Sequence, residues 1–349
     1  MRNFDYSKLK YKKWDQETLN YISKISEYKG RQDIIINQKA KVLDTLVELA
    51  IIQSTESSNE IEGIRTTDTR IKELVMKKVK PINRDEEEIL GYQDVLRTIH
   101  NSFEYINIKP EVILQLHRDL YKYSSKSIGG QFKNVQNYIT ETMPNSKSHV
   151  IFTPLAPYET YAAIEAICSS YNDELQKGDI NQLILLISFV HDFLCIHPFN
   201  DGNGRMSRLL TTLLLYKNDY FIGRYISLEE KIEKTKLNYY EALDKSSKGW
   251  HEENEDKSYF IKYILATILA AYRDFETRLD IFGDGLTALE QVKAAIDNFY
   301  TKFTKSDIMK IVSNLSKASV ENSLKTLLEE GYIDRHGKGR ATYYTKKKE

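Results

Sequence analysis

The sequence predicts a mainly α protein: a helical core interrupted by one β-hairpin, preceded by an N-terminal helical region and followed by a C-terminal module of three helices and a hairpin. Three observations predict it. Apolar residues recur at helical spacing, as in Leu19, Ile22 and Ile25 and again in Val42, Leu46, Leu49 and Ile52. Within the long helical stretch, one pair of β-prone runs, Val135 to Thr140 and His149 to Thr153, flanks the turn-rich Met143-Pro144-Asn145-Ser146. After Trp250 the composition shifts, and an acidic linker, His251 to Asp256, leads into new elements. The expected divisions are 1–105, 106–249, 250–285 and 286–349.

The elements follow in order. Helical patterning runs from Asp15 to about Gly63, where glycine is a natural C-terminal stop. A polar, basic stretch through Lys80-Pro81 carries no such pattern, which resumes at Arg84 to Phe103 and from Pro110 to Tyr123, with Pro110 suited to a first helical turn. Gly129-Gly130 breaks it before the hairpin. An isolated hairpin is marginal in water, so this one must lean on the helices or offer an edge to a partner strand. Tyr158 to Gln176, Asn181 to about Ile196, and a helix opening at Arg205 come next, and Tyr259 to about Ile281 connects to the C-terminal module. In that module Thr287 to Tyr300, Ser306 to Ser313 and Ser316 to Glu330 are helical, with strands at Tyr332 to Arg335 and Arg340 to Thr345 about Gly337-Lys338-Gly339.

Composition bounds the function. An apolar fraction of 41% supports real cores, and 50 basic residues cancel 50 acidic ones, so bulk charge argues for neither nucleic acid nor an anionic membrane as partner. Cys168 and Cys195 sit in apolar helical patterns and read as reduced, buried thiols. Met1 to Lys10 lacks an apolar signal core. The longest apolar run, Leu183 to Ile196, is interrupted by His191 and Asp192 and is too short to span a bilayer. The expected location is the cytoplasm, with no membrane partner.

The chemistry concentrates in His197-Pro198-Phe199-Asn200-Asp201-Gly202-Asn203-Gly204-Arg205-Met206-Ser207-Arg208. Gly202 and Gly204 permit close backbone approach, and the loop ends at a helix N-terminus whose free N–H groups favour an anion, naturally a phosphate. Arg205 and Arg208, three apart, are placed to reach the same side and hold several phosphate oxygens. Asp201 offers a hard oxygen suited to Mg²⁺ on a polyphosphate. His197, with an ordinary pKa of roughly 6.5, suits a general base at neutral pH. A phosphate site beside a base is the equipment for moving a phosphorus-containing group to a hydroxyl.

This stretch resembles the Fic family signature His-x-Phe-x-(Asp/Glu)-Gly-Asn-Gly-Arg-x-x-Arg at every defined position. The resemblance implies a Fic-type helical core with a β-hairpin flap, acting as an adenylyltransferase that moves AMP from ATP to a protein Ser, Thr or Tyr hydroxyl and releases pyrophosphate. It implies that His197 deprotonates the hydroxyl, Asp201 holds Mg²⁺, Gly202, Asn203 and Gly204 cradle phosphate, and Arg205 and Arg208 bind the outer phosphates. The flap, here Val135 to Thr153, would dock the target protein by strand addition. The intact Gly-Asn-Gly-Arg argues against the Doc-like kinase branch.

The resemblance extends upstream, where Ser58-x-x-x-Glu62-Gly63 is similar to the family's inhibitory-helix motif. By spacing alone, Ser58 and Glu62 merely share a helix face and Glu62 reads as a solvated charge. By resemblance, Glu62 would pair with Arg208 and keep ATP from a productive pose, giving an autoinhibited enzyme. Asn238 to Leu243 resembles the segment lining the adenine pocket, which makes Tyr239 and Tyr240 the nucleobase candidates, with core packing as the other reading. One departure is Lys133, where relatives commonly carry arginine.

The C-terminal module looks like a winged helix. From Thr301 on, eleven basic residues face six acidic ones. Lys317, Lys325, Lys338 and Arg340 are placed to contact DNA phosphates, and recruitment of a protein is the equal alternative. The other functional readings are a nucleotide-responsive DNA-binding regulator and removal of AMP from modified proteins at the same site. Some self-modification is expected, given 24 tyrosines.

Overall fold

The computed structural model describes residues 2–347 except 39, 77–78, 125–127, 143–147, 282–285, 298, 300–301 and 313. The tip of the expected hairpin therefore lies outside the described residues. Two compact units are present: Met1–Asp33 with Ala50–Ala271, and Ile34–Leu49 with Tyr272–Glu349. Residues on both sides of position 105 fall in the first unit.

The chain opens with α1 (Gln16–Gln38) and α2 (Ala40–Ile61), and Gly63, at φ +79°, turns it away beyond α2. α3 (Asp68–Val75) forms where helical patterning was not expected, its apolar positions being few but well placed: Ile71, Leu74 and Val75 are all buried. α4 (Arg84–Ser102) is capped by Asn83, whose side chain accepts from the Glu86 N–H, and α5 (Pro110–Leu120) begins on its proline. After the hairpin β1 (Ile139–Thr142) and β2 (Ser148–Phe152) come α6 (Pro157–Lys177), α7 (Gln182–Ile196) and α8 (Asn203–Lys217). Four further helices are α9 (Ile222–Tyr225), α10 (Leu228–Lys234), α11 (Lys236–Ser247) and α12 (Ser258–Ile281).

α7 is the axis of the first unit. Asn181 caps it by accepting from the N–H groups of Leu183 and Ile184, and every residue from Leu183 to Ile196 is buried. It packs against α6 and α8, and α4 packs against both α5 and α8. The two polar residues that interrupt its apolar run are internally satisfied. Asp192 accepts from Trp250 Nε1 at 2.8 Å and from Lys257 Nζ at 2.6 Å. Burial works against the Asp192 charge, but Lys257 and His191 outweigh it and hold its carboxyl well below the usual range. Both cysteines are buried and free, and burial pushes the Cys168 thiol up to about 12.

The hairpin pairs Thr140 with Val150, Glu141 with His149 and Thr142 with Ser148, with an irregularity after Ile139. The first strand starts at Ile139 rather than Val135, and the segment before it is tied to the loop after α7 through the Lys133 N–H and the Lys133 and Asn137 side chains. In the second unit α13 (Ala288–Asp297), α14 (Lys305–Ile311) and α15 (Lys317–Glu329) precede β3 (Ile333–His336) and β4 (Tyr343–Lys346), in the order expected from the sequence. Phe303 adds a short bridge to Tyr344, and Val292, Ile296, Phe303, Ile308, Leu324 and Leu327 form the core. Lys305 pairs with Glu321, Lys325 with Glu329 and Lys346 with Asp297, which offsets part of the basic excess within the unit. The Arg340 side chain lies outside the described set. Among the described residues, no helix is long and apolar enough to cross a membrane.

The close crossing of α4 over α5 depends on Gly91, where an added Cβ would run into the Leu120 carbonyl. Gly91→Ala should therefore destabilise the protein by about 3 kcal/mol in urea denaturation, the collision outweighing the roughly 1 kcal/mol that alanine gains in helix propensity.

Candidate active site

The site is built where α7 stops. His197 caps that helix in a left-handed conformation, φ +51°, with its N–H donating to Phe193 O at 3.0 Å. Its Nδ1 lies 3.2 Å from Leu194 O, so Nδ1 carries the proton and Nε2 keeps a lone pair. Burial pulls the imidazole pKa down to about 4, and the nearby Lys133 adds to this, while the Leu194 carbonyl, Glu62 and Asp201 oppose it. The ring is neutral at pH 7.

The loop that follows is braced from several sides. Phe199 is fully buried and stacked on His117 at 3.7 Å with planes 3° apart. His117 accepts from the Gly130 N–H at Nδ1 and so donates from Nε2 to the Asp201 carbonyl at 3.0 Å. Asn203 clips the loop shut. Its Nδ2 donates to Phe199 O at 2.7 Å and its Oδ1 accepts from Phe199 N–H at 2.9 Å. The Asn203 side chain is thereby committed to the loop backbone. Gly202, at φ +83°, is required twice over, since a Cβ there would also lie 2.9 Å from the Tyr121 hydroxyl.

The two signature arginines do not share a side. Arg205 is 1% exposed and turns toward Glu88 Oε2 at 2.7 Å and Tyr121 OH at 2.8 Å. There it braces the loop from beneath, while its Nε and Nη1 have no hydrogen-bond partner. Arg208 points the other way. Its Nε donates to Ser58 Oγ at 2.8 Å, and its Nη2 donates to Ser58 O at 2.9 Å and to Glu62 Oε1 at 2.7 Å. Sequence spacing gave no warning of this divergence, because residues three apart lie only about 60° apart around a helix axis and a buried partner decides which way each long side chain turns.

Glu62 thus reaches the first turn of α8. A Cβ on Gly204 would collide with Glu62 Oε1, so glycine is what lets the carboxylate sit against that helix N-terminus. Burial opposes the Glu62 charge, yet Arg208, Arg205 and Lys236 prevail and its pKa is lowered. Lys236 Nζ also caps the end of α2, donating to Ile61 O at 2.5 Å.

A cavity of about 580 Å³ connects these groups. Its walls include Glu62, His197, Asp201, Gly202, Asn203, Gly204 and Arg208 on one side and Tyr239, Tyr240 and Leu243 on another, with Ile139 and Ile151 of the hairpin at its edge. Tyr239 is buried against Tyr240, Phe260 and Tyr263, while Tyr240 is 42% exposed and open to the cavity. Asp201 is half-exposed there, with Oδ1 accepting from Gly202 N–H at 2.7 Å and Oδ2 lying 3.8 Å from Arg84. Among the described residues no three His, Cys, Asp or Glu side chains converge to cage a metal. One carboxylate beside an anion site fits a magnesium ion that arrives with a polyphosphate, since Mg²⁺ keeps most of its ligands from water and phosphate. Sequence reasoning missed His117, Glu88, Tyr121 and Asn137, which lie 60 or more residues from the loop they touch.

Residues 107–215 match the Fic/DOC family. The chain is 25% identical over 249 residues to the "Protein adenylyltransferase Fic" of Nematostella vectensis, covering 69% of this chain and 52% of that protein. It is 25% identical over 184 residues to "Protein adenylyltransferase fic-1" of Caenorhabditis elegans, covering 52% of this chain and 32% of that protein. The chain therefore spans about half or less of the length of these curated relatives. A Fic family protein from Desulfovibrio desulfuricans G20 superposes with a TM-score of 0.62 at 19% identity, covering 97% of this chain and 98% of that one. Fic-1 of Caenorhabditis elegans superposes with a TM-score of 0.60 at 18% identity, covering 75% and 73%. These superpositions show a shared mainly α fold, and the match over residues 107–215, the stretch that holds the signature loop between α7 and α8, identifies that part of the chain as a Fic/DOC-family domain.

Proposed function

We propose that the protein is an adenylyltransferase that moves AMP from ATP to a protein Ser, Thr or Tyr hydroxyl, and that Glu62 holds it off. The observation that carries the reading is the neutral His197, its Nε2 free, on the wall of the same cavity as the α8 N-terminus. In this reading the ATP phosphates lie along the main-chain N–H groups of Gly202 to Gly204 and on Arg208, and the base lies beside Tyr240. His197 Nε2 takes the proton of the incoming hydroxyl as its oxygen bonds to the α-phosphorus, and the bond to the departing pyrophosphate breaks. Magnesium held by Asp201 would neutralise phosphate charge. A histidine already neutral at pH 7 can accept that proton without first losing one.

Autoinhibition follows from the position of Glu62. Its carboxylate rests on Gly204 and Arg208, where a phosphate would have to sit, and two anions cannot share that place. Similarity to proteins named adenylyltransferases supports AMP as the group moved. The exposed Tyr138, Val150 and Ile151 support docking of a target segment along the hairpin.

Three measurements test the reading. Glu62→Gly should raise incorporation of label from α-³²P-ATP into lysate protein, and into the chain itself, by at least tenfold; a rate equal to that of the parent would remove the autoinhibition. Adding His197→Ala should abolish labelling while ATP binding by calorimetry stays within about twofold, and a labelled product would overturn the base. Finally, a ¹⁵N-histidine titration should place the His197 midpoint near 4, well below the roughly 6.5 of a free imidazole. Because the folded value is depressed, this group's contribution to stability is present above about pH 6.5 and is lost as the pH falls toward 4.

A further inference from the structure

We infer that Lys133 and Asn137 are positioning residues for His197, fixing the four carbonyls from Ile196 to Phe199 and tying the catalytic loop to the hairpin. The inference rests on His197 being the base. The Ile196 carbonyl accepts from Lys133 Nζ at 2.9 Å, and the Pro198 carbonyl accepts from the Lys133 N–H at 2.8 Å. Asn137 Nδ2 donates to the two remaining carbonyls, His197 O at 3.2 Å and Phe199 O at 3.0 Å. Lys133 Nζ also donates to Asn137 Oδ1 at 3.0 Å, which fixes the orientation of that amide.

The arrangement is costly enough to need a purpose. Lys133 is 3% exposed, and its ammonium hydrogen-bonds to a carbonyl and an amide; burial brings its pKa down to about 8. What it secures is a left-handed, non-glycine residue at the end of a helix, a conformation that persists only when the surroundings over-determine it. The same segment reaches the hairpin on its other side. Gln136 Nε2 donates to Pro154 O at 3.1 Å, just beyond β2, and β1 begins two residues after Asn137. A strand added along the hairpin would therefore load the segment that holds His197.

Neither Lys133 nor Asn137 lines the cavity, so their loss should reduce the rate of transfer and leave nucleotide affinity unchanged. Lys133→Met, Lys133→Arg and Asn137→Asp would be made in the Glu62→Gly background and assayed with labelled ATP, with ATP affinity measured by calorimetry. The expected result is at least a tenfold loss of rate for Lys133→Met and Asn137→Asp with ATP affinity within twofold, and recovery to within threefold for Lys133→Arg, whose longer donor still reaches the Ile196 carbonyl. Asn137→Asp keeps an acceptor for Lys133 and puts a carboxylate oxygen, which cannot donate, against the His197 and Phe199 carbonyls, so it decides the matter if Lys133→Met does not fold. A rate within twofold of the background for the folded variants would overturn the inference while leaving the transfer reading intact. If the Glu62→Gly background itself transfers nothing, the transfer reading fails and ¹⁵N-histidine spectra decide. The parent should show His197 as a single neutral Nδ1–H tautomer and the variants a mixture of tautomers; identical spectra would overturn the positioning role.

Discussion

A buried guanidinium must have an anion, and Arg208 has Glu62. With 4% of its surface exposed, Arg208 has surrendered its hydration, so its charge is tolerable only where hydrogen bonds and an opposite charge replace water. Ser58 supplies one side-chain acceptor and one carbonyl, and Glu62 supplies the charge. This requirement fixes the last turn of α2 over the first turn of α8, although the two are about 150 residues apart in sequence. Any competing anion at that turn must both satisfy Arg208 and displace a carboxylate already stabilised by it.

The loop after α7 obeys a related rule. A loop between two buried helices exposes carbonyls that water cannot reach freely, and each needs a donor. Here the donors come from one short segment before the hairpin and from Asn203 inside the loop itself. Stacking of Phe199 on His117 fills the space beneath. The result is a histidine whose tautomer and direction are set by the backbone around it rather than by a partnering carboxylate, as would be the case in a charge-relay arrangement.

The two arginines show how one motif divides its work. Arg205 is spent on Glu88 and Tyr121, holding α8 to α4 and α5, while Arg208 faces the cavity. An arginine that braces and an arginine that faces a cavity look alike in sequence. They differ only in which acid lies within reach, Glu88 in α4 for one and Glu62 just past the end of α2 for the other.

The sequence by itself determined most of the helices, since their period is written in local apolar spacing, and it placed His197, Asp201, the glycines and Arg208 within twelve consecutive residues. It also placed Ser58 and Glu62 on one helix face. Only the tertiary structure decided that Arg205 turns inward, that the Asn203 side chain serves the loop, and that α3 is helical where no helical pattern was read. It alone assigned work to His117, Lys133 and Asn137. The reason is physical: periodicity and backbone conformation are short-range properties, whereas the direction of a long or amphipathic side chain is chosen by which distant groups are buried beside it.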